Sequence, residues 1–156
     1  MKNYNFFVRL IIFLIINFGA LAIGNVLQGE GPFSEWYQSL NIAPWTPPGW
    51  FFGLAWTTIM LCFSIYMAKL VEVKDNSTTY LLFGIQFLLN VSWNAVFFNY
   101  KLVLGGLIVI VSLTLLMAYF LFQYSKNLPA WKWLILPYVV WLAIATSLNA
   151  YVLLNN

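Results

Sequence analysis

The sequence predicts an all-α membrane protein built as a bundle of five transmembrane helices. Hydrophobic residues make up 63% of the 156-residue chain and charged residues only 7%, whereas about a quarter of the residues in a soluble domain are charged. A soluble domain of this length could not bury so much apolar surface. Five long runs contain no Lys, Arg, Asp or Glu, and each approaches the ~20 residues that a helix needs to cross a bilayer.

These runs are interpreted in order as the five spans. They cover residues 10–27, 50–68, 78–100, 102–124 and 133–154. Only helices and closed barrels satisfy their backbone groups in lipid, and runs of this length exceed those of strands. The first run is longer than the core of a signal peptide, which has about 7–15 residues. Short connections after the first loop predict one domain over residues 1–156 with antiparallel neighbours.

The positive charges indicate the orientation of the bundle, because cytoplasmic loops are enriched in Lys and Arg. One side of the predicted bundle carries six basic residues, namely Lys2, Arg9, Lys69, Lys74, Lys126 and Lys132. The other side carries Lys101, and its first loop contains Glu30 and Glu35. We therefore expect a cytoplasmic amino terminus, in a bacterial cell membrane. The net charge of +3 follows from this topology, and we expect no nucleic-acid partner.

The connection between the first two spans is rich in tryptophan and proline. Residues 36–50, here called the Trp-rich loop, read WYQSLNIAPWTPPGW and contain three residues of each type. Proline fixes φ and has no backbone N–H, so the segment is stiff and cannot continue either flanking helix. We expect the Trp-rich loop to form the lid of a ligand pocket inside the bundle.

Polar and aromatic residues share one face of the third span. The spacing of Gln86, Asn90, Trp93 and Phe97 places them on one side of a helix, with Asn94 close by. Amides are costly in lipid, so this face should point into the bundle. Two interpretations stay open: the amides hold helices together, at about 0.6–2 kcal/mol per contact, or they contact a ligand. The large aromatic residues favour a ligand, because tight helix packing prefers small residues.

Two other spans add residues to the expected pocket. Trp56 lies on the second span, and Trp141 and Ala145 lie one turn apart on the fifth. Both tryptophans are too deep for the interfacial aromatic belt to explain them well. Ala145 leaves space that a leucine would fill. The pocket should therefore be aromatic and mostly neutral, which suits a flat apolar ligand.

Several function classes are disfavoured by residue types that the chain lacks. It has no histidine and a single cysteine, Cys62, which removes Ser-His-Asp chemistry, most zinc sites and histidine-ligated haem. All four acidic residues lie between the spans, which disfavours proton- or sodium-coupled transport. The sequence has no phosphate-binding loop and no dinucleotide fingerprint. We expect neither a bound metal nor a cofactor.

Taken together, these motifs resemble those of the TspO/MBR family, which includes the tryptophan-rich sensory proteins and the translocator proteins. The resemblance rests on the five spans, the WYxxL…WTPPGW loop, the third-span pattern, and Pro137-Tyr138…Trp141…Ala145…Leu148-Asn149 in the fifth span. It implies a homodimer among membrane lipids that binds a tetrapyrrole such as protoporphyrin IX and, in some members, a sterol. The expected sterol-recognition pattern is incomplete here, because no basic residue follows Tyr151.

The resemblance and the stripe on the third span together give a set of expected site residues. The expected ligand-binding residues are Trp36, Tyr37, Trp45, Pro47, Trp56, Gln86, Asn90, Trp93, Asn94, Phe97, Trp141 and Ala145. Family members are also described as supporting light- and oxygen-dependent breakdown of protoporphyrin, for which Trp56 and Trp141 would be catalytic as a radical relay. Three functions stay open: binding and sensing of the ligand, its photo-oxidative breakdown, and transport of tetrapyrroles or sterols.

Overall fold

The computed structural model describes residues 4–156, and its long apolar helices confirm the predicted fold class. The helices are α1 (Phe6–Leu27), α2 (Glu35–Gln38), α3 (Gly49–Val73), α4 (Ser77–Asn94), α5 (Val103–Gln123) and α6 (Leu136–Asn155). A π-helical turn, Ala95–Asn99, extends α4, and 3-10 turns at Gly31–Phe33 and Lys132–Ile135 precede α2 and α6. Helix α2 is short, so α1, α3, α4, α5 and α6 are the five spans. Lys2, used above to predict orientation, lies outside the described residues.

Two of the five spans begin at a side-chain cap. The side chains of Asn5 and Asn76 accept hydrogen bonds from backbone N–H groups in the first turns of α1 and α4, at 3.0 and 2.9 Å. These bonds satisfy donors that have no partner within the helix. After α1 the chain turns through Gly29 and Gly31, whose φ angles are +63° and +53°. Only glycine adopts such angles readily, so the chain leaves the helix here and enters the Trp-rich loop.

Two helices extend further than the charge-free runs predicted. Helix α1 begins at Phe6 and therefore includes Arg9, and α3 continues past residue 68 to Val73. Arg9 is only 7% exposed, and its guanidinium lies 3.4 Å from the carboxylate of Glu72. The ammonium of Lys69 lies 3.1 Å from the same carboxylate. Because the charges are paired with one another, they lie within the first turn of α1 and the last turns of α3 without ending either helix.

The five spans form a closed ring in the order α1, α3, α6, α5, α4. The Trp-rich loop lies at one end of this ring, where it contacts the π-helical turn after α4 and the last turns of α6. The ion pairs between α1 and α3 lie at the opposite end. Buried polar contacts join neighbouring spans, as where the Asn17 amide donates to the Ser64 hydroxyl at 2.8 Å.

The half of the ring away from the Trp-rich loop is filled by side chains. Phe63, Tyr66, Met67 and Phe120 are fully buried there, and the Tyr66 hydroxyl donates to the Phe120 carbonyl at 3.0 Å. Rings in this cluster lie 6.2–6.3 Å apart between centroids. A core packed in this way leaves no room for a ligand among these side chains, and the two cavities described below lie in the half nearest the Trp-rich loop.

Candidate functional site

An inner cavity of about 40 Å³ lies at the centre of the ring. Three indole rings from three different spans line it: Trp56 from α3, Trp93 from α4 and Trp141 from α6. The remaining lining consists of Phe52, Asn90, Ile110, Leu113, Leu142 and Ala145. Tilted and edge-to-face contacts hold the Trp141 ring in place. It packs on Phe51 and Phe52 at centroid distances of 5.8 and 5.1 Å. The inner cavity is therefore an aromatic enclosure.

An outer cavity of about 50 Å³ lies between the inner cavity and the Trp-rich loop. The loop supplies Tyr37, Ile42, Ala43 and Thr46 to its wall. The spans supply Phe52, Trp93, Phe97, Phe98, Ala145, Leu148, Asn149 and Val152. The outer cavity is thus the space directly beneath the loop.

Three residues line both cavities and form the partition between them. They are Phe52 of α3, Trp93 of α4 and Ala145 of α6. Trp93 is stacked on Phe97, with the ring centroids 5.1 Å apart and the planes 9° from parallel. Its indole N–H donates to Oδ1 of Asn149 at 3.2 Å. The two cavities therefore adjoin at these three side chains.

The Trp-rich loop is attached to the two spans whose ends it reaches. Its first part packs on the π-helical turn, where Trp36 and Tyr37 contact Phe97 at centroid distances of 5.7 and 6.4 Å. Its second part lies on α6, where the Trp45 N–H donates to the hydroxyl of Ser147 at 3.1 Å. The loop therefore bridges the outer cavity from α4 to α6, and it is positioned as a lid.

A second connection to the end of α6 involves backbone groups of the loop. The backbone N–H of Asn41 donates to Oδ1 of Asn156 at 2.8 Å, and the Asn156 amide nitrogen donates to the Asn41 carbonyl at 3.2 Å. These atoms are exposed, so the pair exchanges with water at little cost. Lifting the loop therefore breaks weak, solvent-accessible contacts.

The lining of both cavities is uncharged. Among residues 4–156, no Lys, Arg, Asp or Glu lines either cavity. The phenol of Tyr37 is neutral, because burial raises its pKa above the ordinary value. Within the same residues, the side-chain amide of Asn90 makes no hydrogen bond, although the residue is only 5% exposed. Asn90 lines the inner cavity, so its amide can offer a donor and an acceptor to a group bound there.

Both cavities are far smaller than a typical ligand pocket of about 300–1,000 Å³. At about 40 and 50 Å³, each holds only a few atoms. A ligand larger than this must displace the rings of the partition and lift the Trp-rich loop. As described, neither cavity has room for a ligand of ordinary size.

Seven of the residues predicted from the sequence line a cavity. Trp56, Asn90 and Trp141 line the inner cavity, Tyr37 and Phe97 line the outer cavity, and Trp93 and Ala145 line both. The structure thus brings the third-span stripe together with the small residue and the tryptophans of two other spans. Their roles toward a ligand stay predictions.

The five other predicted residues lie outside both linings. Trp36, Trp45 and Pro47 belong to the loop that covers the outer cavity. The Gln86 amide donates to the hydroxyl of Tyr138 at 2.8 Å and joins α4 to α6. Of the two interpretations of the third-span amides, this contact fits the one in which they hold helices together. The Oε1 atom of Gln86 is buried and has no hydrogen-bond partner among the described residues. The Asn94 amide lies against α1, where a Cβ at Gly24 would be 2.7 Å from its nitrogen.

Two residues that sequence reasoning did not assign to the site are part of the partition or hold it in place. Phe52 lies in a run of three aromatic residues, and the sequence gives no sign of which one faces inward. Asn149 is 2% exposed, and its amide nitrogen donates to the Val103 carbonyl at 3.0 Å. The signal for Asn149 was present, because it is a lone amide in an apolar run one turn after Ala145.

Comparison with known proteins gives consistent results. The model of the family described as TspO/MBR matches residues 10–154. The chain is 31% identical to the tryptophan-rich sensory protein of Cereibacter sphaeroides over 74% of this chain and 73% of that protein. It is 30% identical to the tryptophan-rich protein TspO of Chlorobaculum tepidum, over 79% and 81% of the two chains. It is 28% identical to the translocator protein of Bos taurus, over 87% and 82%.

Proposed function

Because the chain belongs to the TspO/MBR family, we propose that it is a membrane receptor that binds a tetrapyrrole such as protoporphyrin IX in the inner cavity, under the Trp-rich loop. One observation carries the proposal: Trp56, Trp93 and Trp141 converge from three spans on one uncharged cavity. The relative from Cereibacter sphaeroides is named a sensory protein, and this supports a sensing role.

The lining suits a large flat ring system. A macrocycle buried among indoles gains about 25 cal/mol for each Å² of apolar surface removed from water. Aromatic pairs contribute about 0.5–1.5 kcal/mol beyond that burial. After the costs of association, which are estimated at about 4–15 kcal/mol, affinity in the micromolar range is expected. Asn90, the unpaired amide on the inner cavity, supplies the polar contact that orients the ring.

Binding requires the site to open, and the contacts that must break are few. Phe52 and Trp93 can rotate toward the outer cavity, which lies on their other side. Lifting the Trp-rich loop breaks the exposed bonds at Asn41 and Trp45 and the ring contacts of Trp36 and Tyr37 with Phe97. An open form would join the two cavities and the space freed by the loop into one pocket.

Titration of the detergent-solubilised protein with protoporphyrin IX tests the proposal. The eight tryptophans should be quenched in a saturable manner at roughly tens of micromolar or below, as expected for a pocket of this kind after association costs. An absence of saturable quenching in that range would remove the tetrapyrrole assignment.

The variant Asn90→Leu makes the same titration specific for the inner cavity. Loss of the orienting hydrogen bond should weaken affinity roughly two- to tenfold, since a hydrogen bond contributes about 0.5–1.5 kcal/mol net. Asn17→Leu is the matched control, because Asn17 is a buried amide bonded to Ser64 and lies outside both cavities. Equal affinities for the two variants would argue against binding beside Asn90.

Photo-oxidative breakdown of the bound porphyrin is the second candidate function. It is favoured by the position of Trp56 and Trp141, which line the inner cavity without any carboxylate, lysine or arginine beside them. Illuminated porphyrin converts oxygen to reactive species, and indole rings in contact with the ligand are readily oxidised. This chemistry needs no general acid or base. Trp56 and Trp141 would then be the catalytic residues.

The proposal extends to the assembly and its membrane. We propose a homodimer in a bacterial cell membrane, with the amino terminus cytoplasmic and the Trp-rich loop on the other side. The charge bias supports the orientation, because the described basic residues Arg9, Lys69 and Lys132 lie at the end of the ring opposite the loop. A sterol is the alternative ligand that the resemblance implies, and the same titration with a sterol competing against protoporphyrin IX would detect it.

A further inference from the structure

The indole of Trp93 separates the inner cavity from the outer cavity and is held on two sides. One face is stacked flat on Phe97. The N–H edge is bonded to Oδ1 of Asn149 at 3.2 Å. The ring itself lines both cavities, so it lies where they adjoin and its rotation would change the passage between them.

Asn149 is in turn fixed by a second bond. Its amide nitrogen donates to the Val103 carbonyl in the first turn of α5 at 3.0 Å. On the same side, a Cβ at Gly106 would be 3.0 Å from Oδ1 of Asn149 and 3.0 Å from the ring of Phe97. A side chain at this position would be in unusually tight contact with both groups, so α5 approaches them closely here. The acceptor atom for Trp93 is therefore held rigidly between α5 and α6.

We propose that Trp93 is a gate between the two cavities and that Asn149 is the positioning residue that keeps the gate closed. The inference rests on the proposed function, because it assigns the route by which a flat apolar ligand reaches the inner cavity. The ligand first occupies the space beneath the Trp-rich loop. It then passes when the indole rotates away from Asn149, and the indole re-forms this bond once the ligand lies in an inner cavity enlarged by rotation of Phe52.

A gate has a kinetic signature that a wall residue lacks. Breaking the bond between Trp93 and Asn149 is part of the barrier for passage in both directions. Removing the bond lowers the barrier for association and dissociation alike, so both rate constants rise and their ratio Kd stays the same. A residue that merely contacts the ligand or supports the fold changes Kd or stability instead.

Stopped-flow measurement with protoporphyrin IX on the full-length protein tests the gate. In Asn149→Leu, which has the same number and branching of side-chain heavy atoms but cannot accept the bond, association and dissociation rate constants should each rise roughly two- to tenfold, the range that one hydrogen bond supplies. In Trp93→Phe the rates should rise as well, and adding Asn149→Leu should then produce no further change. Asn17→Leu, which loses a similar buried bond elsewhere, should leave both rates as they are.

A second measurement needs no porphyrin. Leu113 lines the inner cavity only and is 2% exposed, so Leu113→Cys in a Cys62→Ala background places one thiol behind the gate. Its thiolate attacks the sulfur of methyl methanethiosulfonate and releases methanesulfinate. Adding Asn149→Leu should speed this modification roughly two- to tenfold, by the same hydrogen-bond argument, and adding Asn17→Leu should not.

These two measurements separate failure of the gate from failure of the proposed function. If no variant binds protoporphyrin IX while the thiol reacts faster in Asn149→Leu, the tetrapyrrole assignment is wrong and the gate stands. If porphyrin binds but Asn149→Leu changes neither its rates nor the thiol reaction, the ligand reaches the inner cavity by another route. The gate would also be overturned if Asn149→Leu changed only one of the two rate constants, so that Kd changed by the same factor. That result would identify Asn149 as a residue that contacts the ligand.

Discussion

The Ala145→Leu variant is expected to lose protoporphyrin IX binding by roughly tenfold or more while it keeps its fold, because overfilling a packed site costs about 1–3 kcal/mol. Ala145 lines both cavities, so the added carbons enter the space where the two cavities adjoin. Leucine is a good helix former, and α6 itself should be unaffected. Affinity is measured by Trp quenching, and folding by the midpoint of thermal unfolding in detergent.

Val140→Leu is the control for this substitution. Val140 is on the same helix but is 55% exposed on the outer surface of the ring, where an added methylene meets lipid or detergent. It should bind as the unmodified protein does. Unchanged affinity in Ala145→Leu, with a normal unfolding midpoint, would mean that the ligand does not occupy the space between α4 and α6.

The double variant Trp56→Phe/Trp141→Phe is expected to separate binding from breakdown. Phenylalanine keeps an aromatic face for stacking, so affinity for protoporphyrin IX should change only a few-fold. Loss of both indoles removes the oxidisable rings assigned to the relay, so breakdown under light and oxygen should fall to the rate of free porphyrin. The loss of porphyrin absorbance during illumination measures this directly.

A tryptophan outside the cavities provides the comparison. Trp50 is 69% exposed at the start of α3, and Trp50→Phe makes the same chemical change away from both linings. Breakdown should continue unchanged in that variant. If porphyrin breakdown also continues in the double variant, with porphyrin still bound, then Trp56 and Trp141 do not relay a radical. Binding would then be the function that the two tryptophans support.

The fold was predictable because it depends on composition and on lengths. Five charge-free runs identified the five spans, but the ends at Phe6 and Val73 were missed, because a charge-free run ends at the first charge even when that charge is paired. Arg9 and Lys69 lie inside their helices because Glu72 contacts both. That contact joins two different spans, and no local pattern indicates it.

The site was predictable where a residue contrasts with its surroundings. Asn90, Trp93 and Trp141 stand out as polar or very large residues in apolar runs, and the structure brings them to one cavity. Phe52 and Leu113 line the same cavity but are apolar residues among apolar residues, so the sequence contains no contrast that identifies them. Their position is decided by packing between spans.

The size of the cavities and the shape of the third span could not be predicted either. Whether rings leave a pocket or fill it depends on small rotations of side chains such as Phe52 and Trp93, which residue types do not determine. The π-helical turn at Ala95–Asn99 was not foreseen, because the spacing of the third-span stripe follows an ordinary helix. That turn carries Phe97, on which both Trp93 and Trp36 pack.

A crystal structure of the protein grown with protoporphyrin IX tests the central claim most directly. We expect density for the macrocycle between Trp56 and Trp141, within hydrogen-bonding distance of the Asn90 amide, with Phe52 rotated from its present position. Density confined to the lipid-facing surface, with the three indoles still closed on a small inner cavity, would contradict it.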